Sequence, residues 1–232
     1  MILYYVILFI IILILFFLFL NIYYFIDFPD IKVSLDDIKK DLKTGDLILF
    51  SRHKFKYLFY YLQYNIQLWF SGNNKWGHIG LIFKSSNDDI YVVEFTNWSR
   101  RKHKGLKIRS LEKYLEAYHD LHDAHFGIRK ISQAIPNSII KKLIYQNKPF
   151  KFQYNIIIIL FYCLTHYFNY TKISDKRLFC SSFIAHLLKE SNVLNTHKSA
   201  NNFFPKDFIN ELDFDYFLNK AYSYQPIIEF HI

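Results

Sequence analysis

The stretch that decides the fold is Trp76–Phe95, "WGHIGLIFKSSNDDIYVVEF". Two runs rich in β-branched and aromatic residues flank a polar turn, Lys84 to Asp89, which is the grammar of a β-hairpin. Symmetric pairing about Ser86 sets position 78 opposite position 94. Directly opposed residues share a face, with Cβ atoms roughly 4.5–5.5 Å apart. This register predicts the His78 imidazole beside the Glu94 carboxylate, whereas a one-residue slip would put them on opposite faces. An acid embedded in "YVVEF" needs a partner, because a buried unpaired carboxylate is costly, and His78 supplies one. A histidine oriented by a carboxylate is half of a nucleophilic apparatus: the acid fixes the tautomer and leaves the other ring nitrogen free to take a proton.

The other half is sought in "RLFCSSFIAHLL", Arg177 to Leu188. Phe179, Phe183, Ile184, Leu187 and Leu188 recur with a helical period, and Ser174 and Asp175 stand upstream as N-cap candidates. Cys180 then falls in the first turn, where unpaired N–H groups and the helix dipole bias a thiol toward thiolate. A free cysteine is also an ordinary small core residue. Cys163, inside the apolar run Asn155 to Phe168, reads as packing.

Around these two stretches the chain reads as strands between helices, an α+β pattern rather than a parallel α/β sheet. Ser34 to Leu42 is a helix capped by Ser34, and "TGDLILFS", Thr44 to Ser51, is a turn and a strand. Phe55 to Phe70 reads as a helix, "GLKIRSL" as a strand, Leu111 to Ala117 as a helix and Ala124 to Ile131 as a strand. Pro136 to Tyr145 starts a further helix at proline, and an aromatic tail follows the Cys180 helix.

Ile2 to Ile26 contains no charged side chain, and such a run exceeds the roughly 20 apolar residues that cross a bilayer. The expectation is a transmembrane anchor at 1–26 and a single domain at 27–232. Lys32, Lys39, Lys40 and Lys43 follow the run, so the positive-inside bias puts the domain in the cytosol, as a single-pass membrane protein. Two cysteines and no disulfide framework suit a reducing compartment, although Asn97-Trp98-Ser99 and Asn169-Tyr170-Thr171 are formal glycosylation sequons. The formal net charge of +9 lies wholly outside the apolar run. The basic segment Ser99 to Arg109 is either a solvated loop or a contact for an anionic substrate or for anionic lipid, the latter through Arg100, Arg101, Lys102 and Lys104. No nucleic-acid motif is present, and no nucleic-acid partner is expected.

Metal is considered at two places. His119, His122 and His125 recur at three-residue spacing, but a helix sets only neighbouring pairs on one side. His78, Glu94 and Cys180 are all zinc-ligand types, yet they lack a fourth protein ligand. No metal or other cofactor is expected.

"TGDLILFS", "WGHIGLIF", "YVVEF" and "FCSSFIAHLLKE", in that order, resemble the circularly permuted branch of the NlpC-type papain-like cysteine peptidases, in particular its YiiX-like group and poxviral relatives. The resemblance runs from about Asp41 to Phe208 and includes "FQYN" and "FFPKDF". It implies a permuted papain-like fold, with an antiparallel sheet packed on the cysteine-bearing helix. It also implies Cys180 as nucleophile, His78 as general base and then acid, and Glu94 as the residue that orients His78. Gly45-Asp46 matches a family feature with either a structural or a binding role, and Asp46, together with Tyr154 of "FQYN", becomes a candidate substrate-binding residue. The neighbouring acyltransferase branch, similar to lecithin:retinol acyltransferase, has a second histidine where Glu94 stands and "NCEHF" around its cysteine; this chain has neither. The implied function is a membrane-anchored thiol hydrolase or acyltransferase acting on amide or ester bonds, with acyl-lipid or acylated-protein substrates considered. The alternative is a catalytically silent, membrane-tethered interaction module of the same fold.

Overall fold

The computed structural model describes residues 33–54, 75–96, 105–147, 151–152 and 177–232, together with Tyr4, Leu8, Ile11, Ile12, Tyr64 and Leu68. The chain divides into two units, Met1–Ile31 and Lys32–Ile232. Of the first, the four described residues are helical. Among the described residues no helix is long and apolar enough to cross a membrane. This corrects the expected N-terminal transmembrane helix: a span needs about 20 continuous apolar helical residues, and no described helix supplies them.

The second unit is built on six antiparallel strands, which makes it α+β. A short helix α1 (Leu35–Lys39) precedes β1 (Leu47–Phe50), β2 (His78–Lys84), β3 (Ile90–Thr96) and β4 (Gly105–Ser110). Then come α2 (Leu111–His122), β5 (Phe126–Arg129), α3 (Asn137–Asn147) and a two-residue parallel pair, β6 (Lys151–Phe152) and β7 (Arg177–Leu178). The chain continues through α4 (Cys180–Glu190), α5 (Glu211–Tyr216) and β8 (Ile228–Phe230). The strand order is β4-β3-β2-β1-β5-β8, each neighbour antiparallel.

The local rules behind these elements are visible. Ser34 caps α1: its Oγ accepts from the Asp37 N–H, and Asp37 Oδ2 in return accepts from the Ser34 N–H at 2.9 Å. Gly45 sits at φ +109°, a left-handed conformation that glycine adopts without penalty, in the turn feeding β1. Strand β1 is buried along its whole length because helices cover both faces of the sheet. On one face Ile79, Leu81, Phe83 and Val93 pack with Phe183, Ile184, Leu187 and Leu188 of α4 and with Ile140 and Leu143 of α3. On the other, Ile48, Phe50, Ile82 and Val92 pack with Leu111, Tyr114, Leu115 and Tyr118 of α2 and with Leu35 and Ile38 of α1. Each fully buried Leu, Ile or Phe contributes about 1.5–3 kcal/mol relative to exposure. The two faces, rather than any single contact, therefore hold the sheet between its helices.

The hairpin register differs from the symmetric one. Leu81 pairs with Val93, Ile82 with Val92, Phe83 with Tyr91 and Lys84 with Ile90, so the turn is centred on Asn87 rather than Ser86. Asp88, at φ 64°, occupies the left-handed position of that turn, and the Ser85 N–H donates to the Asp89 carbonyl at 2.8 Å. Continued upward, this register sets Gly80 opposite Glu94. His78 is two residues on, hence on the same face and diagonal to Glu94. Moving the turn centre by one residue displaces the partner by two, so the face is conserved.

The tail after α4 contributes a strand that sequence periodicity does not separate from its aromatic surroundings. β8 closes the sheet beside β5, with Phe126 paired to Phe230 and their rings stacked at 5.7 Å. The expected helix at Asn155 to Phe168 and most of the one at Phe55 to Phe70 lie outside the described residues; Tyr64 and Leu68 of the latter are helical.

Candidate functional site

Three elements bring Cys180, His78 and Glu94 together. Helix α4 begins at Cys180 itself, with Phe179 as its extended N-cap, so the thiol occupies the first helical position. This differs from the upstream caps expected at Ser174 and Asp175, which lie outside the described residues. The helix start is held by Ser182, whose Oγ accepts from the Phe179 N–H at 2.8 Å and donates to the Phe179 carbonyl at 3.0 Å. Ser181 Oγ donates to the Phe203 carbonyl at 2.8 Å, and so ties the same turn to the following loop.

The hydrogen-bond alternation of β2 explains how an α4 thiol reaches a residue on the sheet. The Ile82 N–H donates toward β1, to the Asp46 carbonyl at 2.8 Å. In an antiparallel strand successive N–H groups point to opposite neighbours, so those of Leu81 and Ile79 are directed at β3. The β2–β3 pairing ends at Leu81 and Val93. The Ile79 N–H, just past that end, is one of the groups that hold the Cys180 thiol below its ordinary value. The thiol thus sits where two strands part, beside His78.

His78 Nε2 lies 2.6 Å from Glu94 Oε2. With Nε2 committed to the acid, Nδ1 is the ring nitrogen left to serve Cys180, whose charge raises the imidazole's pKa. Glu94 is completely buried, His78 is 6% exposed and Cys180 8%. The sequence of burial runs from a sealed acid to a thiol at the margin of solvent. Phe50 packs on the imidazole at 5.3 Å between ring centroids, and holds its plane from the β1 side.

The electrostatics follow from this geometry. Burial pushes the His78 imidazole toward the neutral form, but the Cys180 thiolate and the Glu94 carboxylate outweigh it and raise the pKa to about 9. Burial likewise opposes ionisation of Cys180, yet the His78 charge and hydrogen bond, with the N–H groups of Ile79 and Ser181, hold the thiol below its ordinary value. Glu94 is also held below the carboxylate range against its burial, by His78, the Tyr114 hydroxyl and Arg109. The site favours thiolate, imidazolium and carboxylate together.

Two residues around Glu94 were not anticipated from the sequence. Tyr114 of α2 donates its hydroxyl to Glu94 Oε2 at 2.7 Å, and Arg109 Nε of β4 lies 3.0 Å from Oε1 as an ion pair. The Arg109 guanidinium is also 4.8 Å from the Tyr114 ring centroid. The signal for Arg109 was its place in "GLKIRS", whose Lys107 pairs with Glu94, so that Arg109 is two residues along the same face. Tyr114 belongs to the buried stripe Leu111, Tyr114, Leu115 and Tyr118, where a phenol looks like any other core aromatic.

Asp46 is placed elsewhere. It precedes β1, while Phe50 at the other end pairs with His78, so about 13 Å of strand separates Asp46 from the imidazole. Its carboxylate is a backbone clamp: Oδ2 accepts from the Lys43 N–H and Oδ1 from the Ile131 N–H, both at 2.8 Å. Burial raises its pKa to about 6 despite those two bonds. Asp46 joins the turn before β1 to the loop after β5. Asp46→Ala leaves the buried Ile131 N–H and the part-buried Lys43 N–H without their acceptor, each costing about 1–3 kcal/mol. The expected result is a fall of about 2–4 kcal/mol in stability by urea denaturation, with no change in Cys180 alkylation rate in the folded protein.

Tyr154, Cys163 and the run Arg100, Arg101, Lys102 and Lys104 lie outside the described residues. The histidines at 119, 122 and 125 do not converge on a common point. His119 Nδ1 donates to the Ala124 carbonyl at 2.9 Å, while the His125 ring packs at 4.6 Å on His53. Among the described residues no group of three or more His, Cys, Asp or Glu side chains is arranged to hold a metal ion.

No family model matches the chain. It is similar to an uncharacterized protein of Acanthamoeba polyphaga mimivirus, at 29% identity over 215 residues that cover 84% of each chain.

Proposed function

We propose that the protein is a cysteine-dependent hydrolase or acyltransferase of the permuted papain-like, NlpC-type class, acting on amide, ester or thioester carbonyls. The observation that carries this reading is the His78–Glu94 bond at 2.6 Å on the sheet, with Cys180 at the first position of α4 close enough to raise the imidazole's pKa. A buried charged dyad is expensive as a packing device. It is the arrangement that nucleophilic acyl transfer needs, because nucleophile and base are in reach and a third group orients the base.

In the proposed reaction the Cys180 thiolate attacks the carbonyl carbon, forming a C–S bond as the carbonyl electron pair moves onto oxygen. The N–H of Cys180, first in its helix and without an intrahelical acceptor, is positioned to stabilise that oxyanion. Collapse expels the leaving group, which takes the proton from His78 Nδ1. Water or another acceptor then gives its proton to Nδ1 and attacks the acyl-enzyme, and the thiolate is released. Glu94 stays ionised throughout and stabilises the imidazolium.

A panel of nitrophenyl esters, acyl thioesters and peptidyl amides tests the reading. The expected kcat/KM profile is bell-shaped. It rises as Cys180 ionises, below the ordinary thiol range, and falls near pH 9 as His78 loses its proton. Turnover that survives in Cys180→Ser, or a profile that keeps climbing beyond pH 9, would contradict the ion-paired site.

A further inference from the structure

The burial of Glu94 raises a problem that the three-residue series alone does not solve. A carboxyl group with no exposed surface takes up a proton unless nearby charge and hydrogen bonds compensate it. A protonated Glu94 would be a poor acceptor for the His78 Nε2–H, and His78 would then hold its own proton less firmly. The groups facing Glu94 come from four elements: His78 on β2, Lys107 and Arg109 on β4, Tyr114 and Tyr118 on α2, and Cys180 on α4 beyond the imidazole. Two of them touch the carboxylate besides His78. The Tyr114 hydroxyl shares Oε2 with His78 Nε2, while Arg109 Nε stands against Oε1.

The division of labour is geometric. Oε2 receives two donors from different directions, which fixes the rotation of the carboxylate about its last bond. Oε1 is turned to the only cation in direct contact with it among the described residues. Arg109 is itself held by the face of Tyr114, 4.8 Å away, so the tyrosine, the guanidinium and the carboxylate contact one another pairwise.

We infer that Tyr114 and Arg109 are positioning residues, which keep Glu94 ionised and aimed at His78 Nε2 so that Nδ1 is the ring atom exchanging protons with Cys180. This deepens the proposed thiol chemistry and rests on it. Neither residue touches Cys180 in the geometry described, so both act through Glu94 and His78. Losing either one weakens the imidazolium and, through it, the thiolate.

The test is the pH dependence of Cys180 alkylation by iodoacetamide in the full chain, followed on the Cys180 peptide by mass spectrometry. Tyr114→Phe keeps the ring that packs on Phe50 at 5.5 Å and removes only the hydroxyl. Arg109→Met removes the charge from a side chain 27% exposed on the edge strand, where folding is least at risk. Each variant is expected to move the midpoint upward by about half to one unit, read as about 3- to 10-fold slower labelling on the acidic limb. The rates should converge with wild type at alkaline pH, and Arg109→Lys should recover part of the shift. Midpoints coinciding with wild type in both variants, with native near-ultraviolet dichroism, would overturn the inference and leave the two residues as packing. If His78→Ala also leaves the wild-type profile in place, the thiol–imidazole reading itself fails, and the inference falls with it.

Discussion

Cys180→Ala is expected to abolish acyl transfer, with a loss in kcat of about five orders of magnitude or more on any substrate the protein turns over. The size follows from the proposed role: the thiol supplies the bond-forming electron pair, and neither His78 nor Glu94 can replace it. Stability should change little, by about 1 kcal/mol or less in either direction. The lost packing of a small side chain is minor, and the His78 imidazolium left behind keeps Glu94 as its counter-charge, so no buried charge is orphaned. The contrast is what makes the variant informative. A core cysteine at a well-packed helix start would show the reverse, a measurable stability loss and no chemical phenotype. Activity assays and urea denaturation on one preparation read both quantities.

The second large effect is expected at Glu94. Glu94→Ala removes the acceptor of the His78 Nε2–H, the Tyr114 hydroxyl and the Arg109 charge in one step. Breaking a buried charge pair from one side costs about 3–5 kcal/mol, because the remaining partners are left uncompensated. The pH behaviour changes as well. His78 is raised to about 9 in part by Glu94, so without the acid the imidazolium gives up its proton at lower pH, and the alkaline limb of the rate profile moves down. Glu94→Gln keeps the shape and one acceptor oxygen, and should fall between wild type and alanine in stability while shifting the same limb. An alkaline limb unmoved in both variants would mean that Glu94 braces the sheet without acting on His78.

How much of this was written in the sequence depends on the range of the interaction that fixes each feature. The β2–β3 hairpin was legible because period-two apolar patterning and a polar turn are local, and because an error of one residue in the turn centre leaves His78 and Glu94 on one face. The capped start of α1 at Ser34 was legible for the same reason. The partners of Asp46 were not: they are the N–H groups of Lys43 and Ile131, and the second is 85 residues away. Nothing near Gly45 distinguishes a backbone clamp from a ligand contact. Tyr114 and Arg109 were hidden differently. Each obeys its local pattern, core stripe or strand face, and becomes significant only when β4 and α2 are folded over Glu94. β8 was masked by an aromatic tail in which strand and loop share a composition.

The first helical residue is a further case. Periodicity locates a helix to within a turn, but the boundary at Cys180 is set by the extended Phe179 and by Ser182 satisfying its N–H. That boundary matters to the proposed chemistry: one turn further in, the Cys180 N–H would be spent on an intrahelical carbonyl and would not be available to an oxyanion.

The most direct test of the central claim is where an electrophile lands. The full chain is treated with a limiting amount of a chloroacetamide probe below the ordinary thiol range and digested, and the Cys180 and Cys163 peptides are compared by mass spectrometry. A low-pKa, ion-paired Cys180 predicts modification confined to the Cys180 peptide, and its loss in His78→Ala. Labelling that favours Cys163, or that is indifferent to His78, would contradict it.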